Sequence, residues 1–567
     1  MSFPVRLLLL FAGCALLLLP ALGVAPLERA EIYFLDGARS MVEGGDYLVP
    51  HYRGQPFFDK PPLAYWLMAA AFRLLGFTPG AARLVPVLAT LCVLAATLWL
   101  GRLLFDRRTA LWGAGLLTST LAFMGFGRIA MSDMLLALWT TLAVALAVRA
   151  LDRPPASWAL PALGAVLGLG FLTKGPVAVL LPGLGALALG WQRRKERWPI
   201  SLSVLSLAVA LFVVLGLGWF ALVFRRLGPG PLEYFFLREN LQRFAADTYD
   251  AGQPPWFYLA AYLAEGLPWS LFFPLAVWRV WRAPRDRAGA GGFLLLWLSL
   301  MAVPLSLSRG KIDYYLLPFY PAISLLIGRA LAARTWGALE RGWSRVVLIL
   351  VALGALAIPL LAARLPEPWG PAIPTQLALW LLATAAGLAC CTAIRRTGPV
   401  RVTATLGLSA AAAFLALTAL VSPGFRHSQP NDTVVADVAR ERFYRPDLRL
   451  VLCQDLARVQ RDVLFQVRLA AEERCDLWAP ASSTWPYLFL LTPQETLSIS
   501  TAPGVREVAR YPLLPATALS LRGLLAGPQP GQVVLLANFA TRDPVAEGKR
   551  RRERKKALER EYGGASE

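Results

Sequence analysis

The sequence predicts a polytopic α-helical membrane protein with a small C-terminal α/β domain. Three observations predict it. Of 567 residues, 56% are hydrophobic and the mean hydropathy is +0.51, values that a soluble chain of this length rarely reaches. The apolar residues gather in about 13 runs near the length that crosses a bilayer. Beyond about Phe425 the composition turns polar and the pattern alternates as in strands.

In order, the runs are Leu7–Val24, Ala81–Leu104, Ala110–Gly125, Ile129–Ala150, Trp158–Leu172, Pro176–Trp191 and Ser201–Phe224. Trp256–Val280, Gly292–Leu307, Tyr314–Ala333, Val346–Ala363, Thr375–Ile394 and Val402–Val421 complete the set. Leu7–Val24 reads as a retained helix rather than a cleaved signal peptide, although Ala21 and Gly23 offer small residues near its end.

The net charge of +21 could suggest nucleic acid, but its distribution argues for topology. Every second loop is basic and nearly free of acids: Arg102, Arg107 and Arg108 in one, Arg193 and Arg194 in another, Arg395, Arg396 and Arg401 in a third. That is the positive-inside pattern, and no nucleic-acid partner is expected. The opposite loops differ in kind. Residues 25–80 mix acids, bases and aromatics, and 225–255 do the same. Ionisable groups collected at helix ends on one membrane face are costly unless they act. This face therefore carries the candidate site.

Within the first outer loop, Ile32, Leu35, Ala38 and Val42 share one helical face, which predicts a helix lying along the membrane surface. Glu28 and Glu31 open it, where carboxylates suit the helix dipole. Further on, FFDKPPLAYW (Phe57–Trp66) places Asp59 and Lys60 ahead of a double proline that forces extended backbone. Tyr65 and Trp66 are expected to anchor the next helix at the interface.

The C-terminal part reads as an α/β domain over 425–546, lying outside the cytoplasm. Val434–Arg442 and Asp455–Ala471 are expected as helices. Leu448–Cys453, Tyr487–Thr492, Glu507–Leu513 and Gln532–Phe539 are expected as strands. Cys453 and Cys475 are a weak disulfide candidate. Residues 547–567 form a basic tail, expected to be disordered or to bind lipid head groups.

The motifs resemble those of GT-C glycosyltransferases that use polyprenyl-phosphate sugars, most closely the ArnT-type aminoarabinose transferases of the protein mannosyltransferase-like superfamily. GDYLVP (Gly45–Pro50) and FFDKPPLAYW match that family's first-loop segment. RIAMSDM (Arg128–Met134), FLTKGPVAVLLP (Phe171–Pro182), FFLRENLQRF (Phe235–Phe244), PPWFYLAAYLAEGLPW (Pro254–Trp269) and SRGKIDYYLLPFYP (Ser308–Pro321) follow in order. The likeness covers roughly Leu7 to Val421.

The resemblance implies a GT-C transmembrane catalytic domain over 1–424, in a bacterial inner membrane, with its site on the periplasmic side. It implies inverting transfer of a sugar from undecaprenyl phosphate to a lipid, glycan or protein acceptor, lipid A included. Such transfer needs cations for the leaving phosphate and carboxylates near an oxocarbenium-like anomeric carbon. Lys60, Lys174, Lys311, Tyr315 and Arg128 are the phosphate candidates. Asp59, Asp133, Glu31 and Glu28 are the carboxylate candidates. The family's leading acid falls on Ala30, so Glu31 or Glu28 would have to replace it. Asp59 matches an acid that lies near a divalent metal in relatives. Asn240 stands where relatives often have His, which suits Mg²⁺ or Ca²⁺ better than Zn²⁺. No organic cofactor is expected.

Each candidate also has a plain structural reading. Asp133 could pair with Arg128, and Lys174 could be a snorkelling anchor. A lipid-linked sugar transporter and a non-catalytic carrier-binding protein are the rival classes. A transporter would carry ionisable residues near the midplane and a repeated half, neither of which is visible.

Overall fold

The computed structural model describes residues 2–23, 27–28, 30–52, 54–152, 156–194, 201–242, 253–333, 336–364, 373–395 and 398–416. It also describes residues 434 and 438 and five strands after 448. The chain divides into two compact units, Met1–Ala363 with Pro371–Pro423, and Arg364–Gly370 with Gly424–Glu567.

The first unit is helical. We number its principal helices α1 Phe3–Leu18, α2 Glu31–Gly44, α3 Leu63–Leu75, α4 Pro79–Leu104, α5 Arg107–Leu117, α6 Leu121–Phe126, α7 Asp133–Ala150, α8 Ala159–Lys174 and α9 Val177–Gln192. They continue with α10 Leu202–Leu227, α11 Tyr234–Gln242, α12 Phe257–Glu265, α13 Trp269–Arg282, α14 Ala290–Leu307, α15 Asp313–Leu331, α16 Ala338–Ala362, α17 Ile373–Arg395 and α18 Pro399–Leu415. Among the described residues seven helices are long and apolar enough to cross a membrane, or eight if α12 and α13 form one bent span. The protein is therefore a polytopic membrane protein.

Helix ends follow the local chemistry. Thr78 caps α4 by accepting from the Ala81 amide at 3.1 Å, and Pro79 occupies the first turn, where its missing N–H costs nothing. Asp106 caps α5 through the Thr109 amide at 2.8 Å. The core packs α4, α7 and α8 together, with α5 against α15 and α9 against α14.

Two expected runs are broken. Ala110–Gly125 divides into α5 and α6 because the Thr118, Ser119 and Thr120 hydroxyls return to the carbonyls of Gly115 and Leu116, at 2.8–3.3 Å. Trp256–Val280 divides into α12 and α13, bent by 113°, where Gly266 and Pro268 interrupt the helical ladder. The two breaks meet: the Leu121 amide donates to the Leu267 carbonyl at 3.3 Å, and Trp269 Nε1 donates to Ser119 Oγ at 3.0 Å. One further run is longer than expected, since α16 begins at Ala338 and takes in Arg341 and Arg345.

On the outer face, α2 covers the expected amphipathic stretch and buries Ile32, Leu35, Ala38 and Met41. A short antiparallel pair, β1 His51–Tyr52 and β2 Gln55–Pro56, follows it. Tyr65 is not an interfacial anchor. It is fully buried and its ring stacks on Phe34 with centroids 5.2 Å apart. It can do so because Gly37 has no Cβ, which would sit 2.7 Å from the tyrosine edge. Trp66 instead donates from Nε1 to the Tyr47 carbonyl at 2.7 Å.

In the second unit, β3 Arg449–Leu452, β4 Ala471–Glu472, β5 Leu488–Pro493, β6 Arg506–Leu513 and β7 Gly531–Ala537 form one mixed sheet in the order β4-β3-β5-β7-β6. Four strands fall where alternation predicts them. Ala471 lies in a strand rather than at the end of a helix, because it pairs with Leu450. Val434 and Val438 are helical and buried, inside the helix expected over Val434–Arg442; the other residues of that helix, the body of the one expected from Asp455, Cys453, Cys475 and the basic tail lie outside the described residues.

Candidate functional site

Two cavities open between the outer loop and the helix ends of the first unit. The first, about 620 Å³, is mixed in character and is lined by Glu28, Tyr33, Phe57, Asp133, Asp313 and Tyr314 among others. The second, about 600 Å³, is largely apolar, with walls from Leu136, Val177, Leu180, Leu181, Phe235 and Phe236. Asp59, Lys60, Lys174 and Tyr315 line both. These four residues come from three separate segments of the chain, and the fold brings them to one junction.

Each junction residue is held from a different element. Lys174 ends α8, and Gly175 follows it at φ +68°, a conformation that costs glycine little; a Cβ there would also meet the Phe235 ring at 2.5 Å. The ammonium so placed bonds Asp133, the first residue of α7, and lies over the Tyr315 and Tyr314 rings at 4.8 and 5.6 Å. Lysine and aspartate are 8% and 6% exposed, so each charge depends on the other. Lys60 donates to the Asp59 carbonyl at 2.8 Å and reaches Glu239 at 3.6 Å. Tyr234 donates its hydroxyl to Asp59 at 2.8 Å. Tyr234 and Glu239 both lie on α11, a π-helical segment. Helices of that kind are frequent at functional sites.

The expected candidates divide between the junction and the scaffold. Asp59, Lys60, Asp133, Lys174 and Tyr315 gather as anticipated, and Glu28 lines the mixed cavity. Glu31 does not. It is fully buried and accepts two bonds from Arg83, at 2.8 and 2.7 Å, and one each from the Ala130 and Glu28 amides, both at 2.8 Å. All its lone-pair directions are taken, so it works as a clamp joining α2, α4 and the segment before α7. Arg128 turns to the Leu17 and Pro20 carbonyls at the C-terminal end of α1 and not to Asp133. Lys311 turns to the carbonyls of Ser308 and Gln253, at 2.5 and 3.1 Å. Neither cation lines either of the two cavities, and each is engaged by backbone carbonyls instead.

Arg83, Tyr234 and Glu239 were missed. Arg83 is an arginine in the first turn of an apolar run, Glu239 lies inside the FFLRENLQRF motif beside Asn240, and Tyr234 immediately precedes that motif. Outside the membrane segments, Asp46 accepts from the Leu48 and Val49 amides at 3.0 and 3.4 Å and pairs with Arg226 at 2.9 Å. Burial pushes its carboxyl up, but the Arg226 bond, the two amides and the Arg226 charge outweigh that and hold it below the usual range.

Asp59 and Asn240 are the metal donors suggested by sequence. Asp59 accepts from Tyr234, and Asn240 donates to the Phe235 carbonyl at 2.7 Å. Among the described residues no group of three or more His, Cys, Asp or Glu side chains could hold a metal ion. No step of the transfer is routed through a metal ion.

A family model described as dolichyl-phosphate-mannose-protein mannosyltransferase matches residues 59–219. An undecaprenyl phosphate-α-4-amino-4-deoxy-L-arabinose arabinosyl transferase of Pseudomonas aeruginosa strain LESB58 is 35% identical over 401 residues, covering 66% of this chain and 71% of that protein. A Sodalis glossinidius protein of the same description is 32% identical over 345 residues, 60% and 61% of the two chains. Among solved structures, ArnT from Cupriavidus metallidurans bound to undecaprenyl phosphate matches with a TM-score of 0.75 at 21% identity, covering 95% of this chain and 99% of that one. Its apo form gives 0.70.

Proposed function

The chain belongs to the undecaprenyl-phosphate-aminoarabinose arabinosyltransferase family of GT-C glycosyltransferases, and on that premise we propose how its cavities divide the donor. It is a polyprenyl-phosphate-sugar-dependent glycosyltransferase embedded in the membrane. The prenyl chain occupies the apolar cavity, the sugar occupies the mixed cavity, and the phosphate sits between them at Lys60, Lys174 and Tyr315. The observation that carries this reading is the sharing of those three residues, with Asp59, by the two cavities. An amphiphile with an apolar tail, an anionic link and a polar head fits no simpler arrangement.

In the reaction the anomeric C–O bond to phosphate breaks and its electron pair leaves with the polyprenyl phosphate. The two ammonium groups stabilise the charge that develops there, in a site largely screened from water. The acceptor oxygen bonds to the anomeric carbon from the opposite side, which inverts it. If that oxygen is a hydroxyl, its proton passes to a carboxylate lining the mixed cavity; Glu28, Asp59, Asp133 and Asp313 are the four available among the described residues. A phosphate acceptor needs no base.

We assign 4-amino-4-deoxy-arabinose as the donor sugar on the relatives' descriptions; the acceptor class is a lipid A-type phosphate, a glycan or a protein hydroxyl, and the motif resemblance favours the first. The finer topology follows the same reading: about 13 spans, a bacterial inner membrane, and both the cavities and the α/β domain on the periplasmic side. Purified protein, offered a panel of undecaprenyl-phosphate sugars, is expected to release undecaprenyl phosphate from one of them, and Lys60→Ala to abolish release. Binding without release from any donor would move the reading to a transporter or carrier-binding protein.

A further inference from the structure

A third cavity lies far from the first two. The helix α4 is 26 residues long, so its far end, where α5 begins, is about 39 Å from its Arg83 end. There a crevice of about 880 Å³ opens between α17 and α18. Its walls are Leu382, Ala386 and Ala389 on one helix and Ala404, Leu408 and Ala412 on the other. Among the described residues the charged ones that line it are Arg108 and Arg401, and no acid lines it; Asp106, near Arg108, lies outside the crevice and pairs with Arg329.

Several other arginines on the same face are engaged by acids or backbone carbonyls. Arg279 bonds Glu340 and the Ala330 carbonyl, Arg329 pairs with Asp106 and Asp286, Arg193 bonds the Leu151 carbonyl, and Arg341 bonds the Trp336 carbonyl. Among the described residues no hydrogen bond or ion pair engages the guanidinium of Arg108 or Arg401. Both sit at the end where α18 begins, and from Pro399 to Ala412 the crevice runs about 20 Å along that helix. One leaflet of hydrocarbon is about 15 Å deep. The crevice thus offers two cations at head-group depth and an apolar trough beneath them.

We propose that this crevice binds an anionic glycerophospholipid, its phosphate diester held by Arg108 and Arg401 and its acyl chains laid between α17 and α18. Paired guanidinium groups suit phosphate oxygens, and basic pockets between helices on this kind of face take anionic head groups. A zwitterionic lipid carries an ammonium that two unpaired arginines would repel.

The test is native mass spectrometry of the full chain in detergent, titrated with phosphatidylglycerol or with phosphatidylcholine. Wild type is expected to prefer phosphatidylglycerol by about fivefold per arginine, or about 25-fold for both, and R108Q/R401Q to lose the preference. R287Q, which removes a charge of the same face outside the crevice, is expected to keep it. Equal binding of the two lipids by wild type would overturn the proposal, as would an equal loss in R287Q. Displacement by millimolar inorganic phosphate would also overturn it, since the site would then be one for free anions. Persistence of a dimer without lipid would give the crevice to a second copy. Should R108Q/R401Q lose the wild-type thermal transition, R108Q and R401Q singly carry the comparison, each with a fivefold effect; no effect in either sinks the idea.

Discussion

Replacing Lys174 by Met separates what the junction does for stability from what it does for transfer. Lys174 and Asp133 are 8% and 6% exposed. Removing one partner of such a pair leaves a buried charge uncompensated, which costs about 3–5 kcal/mol. The lost contacts with the Tyr315 and Tyr314 faces add about 0.5–2 kcal/mol. K174M should therefore melt well below wild type. K174M/D133N removes the orphaned charge as well, and should regain most of the first loss because a neutral pair costs little to bury. Transfer should stay absent in both, since the phosphate has lost one of its two ammonium groups. The assays are thermal denaturation at one fixed scan rate, because such unfolding is commonly irreversible, and release of undecaprenyl phosphate. A K174M protein as stable as wild type would refute the buried-pair argument. Transfer restored in the double variant would show that Lys174 only neutralises Asp133.

Three further outcomes follow from the same geometry. Tyr234→Phe removes a hydroxyl bond to Asp59 worth about 1.5–3 kcal/mol, and Glu239→Gln removes the carboxylate 3.6 Å from Lys60; in each, turnover per folded molecule should fall roughly 10- to 100-fold, and Glu239→Gln should also lower the melting temperature because the carboxylate is buried. Glu31→Gln should cost about 3–5 kcal/mol of stability by unpairing buried Arg83, while the folded fraction keeps turnover within a few fold; complete loss of turnover in well-folded protein would make Glu31 catalytic. Asp46 has a folded-state pKa below its unfolded value, so its contribution is present above about pH 4 and is lost as pH falls through the lowered value. The stability gap between wild type and D46N, read by thermal shift, should be level from neutral pH to about pH 5 and close in stronger acid; a gap that widens in acid would contradict the Arg226 pairing.

Much of the architecture was legible because apolar length and loop charge are written locally. The expected runs in the membrane unit fall at least in part on described helices, and the two broken ones carry their breakers in plain sight: Thr118-Ser119-Thr120 in one, Gly266 and Pro268 in the other. Asp59 and Lys60 were legible because the double proline fixes their neighbourhood. What escaped depends on distance along the chain. Glu31 and Arg83 are 52 residues apart and Asp59 and Tyr234 are 175 apart, so nothing local says that one carboxylate is clamped and the other aimed. Lys311 and Lys174 look alike in sequence. They differ because Lys311 is bound by the carbonyls of Ser308 and Gln253, while Gly175 and Pro176 stop α8 just where Lys174 faces the cavities.

The division of the donor between two cavities is tested most directly by photo-crosslinking. Undecaprenyl phosphate carrying a photoreactive group near the middle of its prenyl chain is irradiated with the purified protein, and the labelled peptides are sequenced. Labelling is expected on the apolar walls, around Leu180 and Phe236, with K60M/K174M reducing it and undecaprenol failing to compete. Labelling around Tyr33 and Phe57, or labelling indifferent to both lysines, would contradict the assignment of the two cavities.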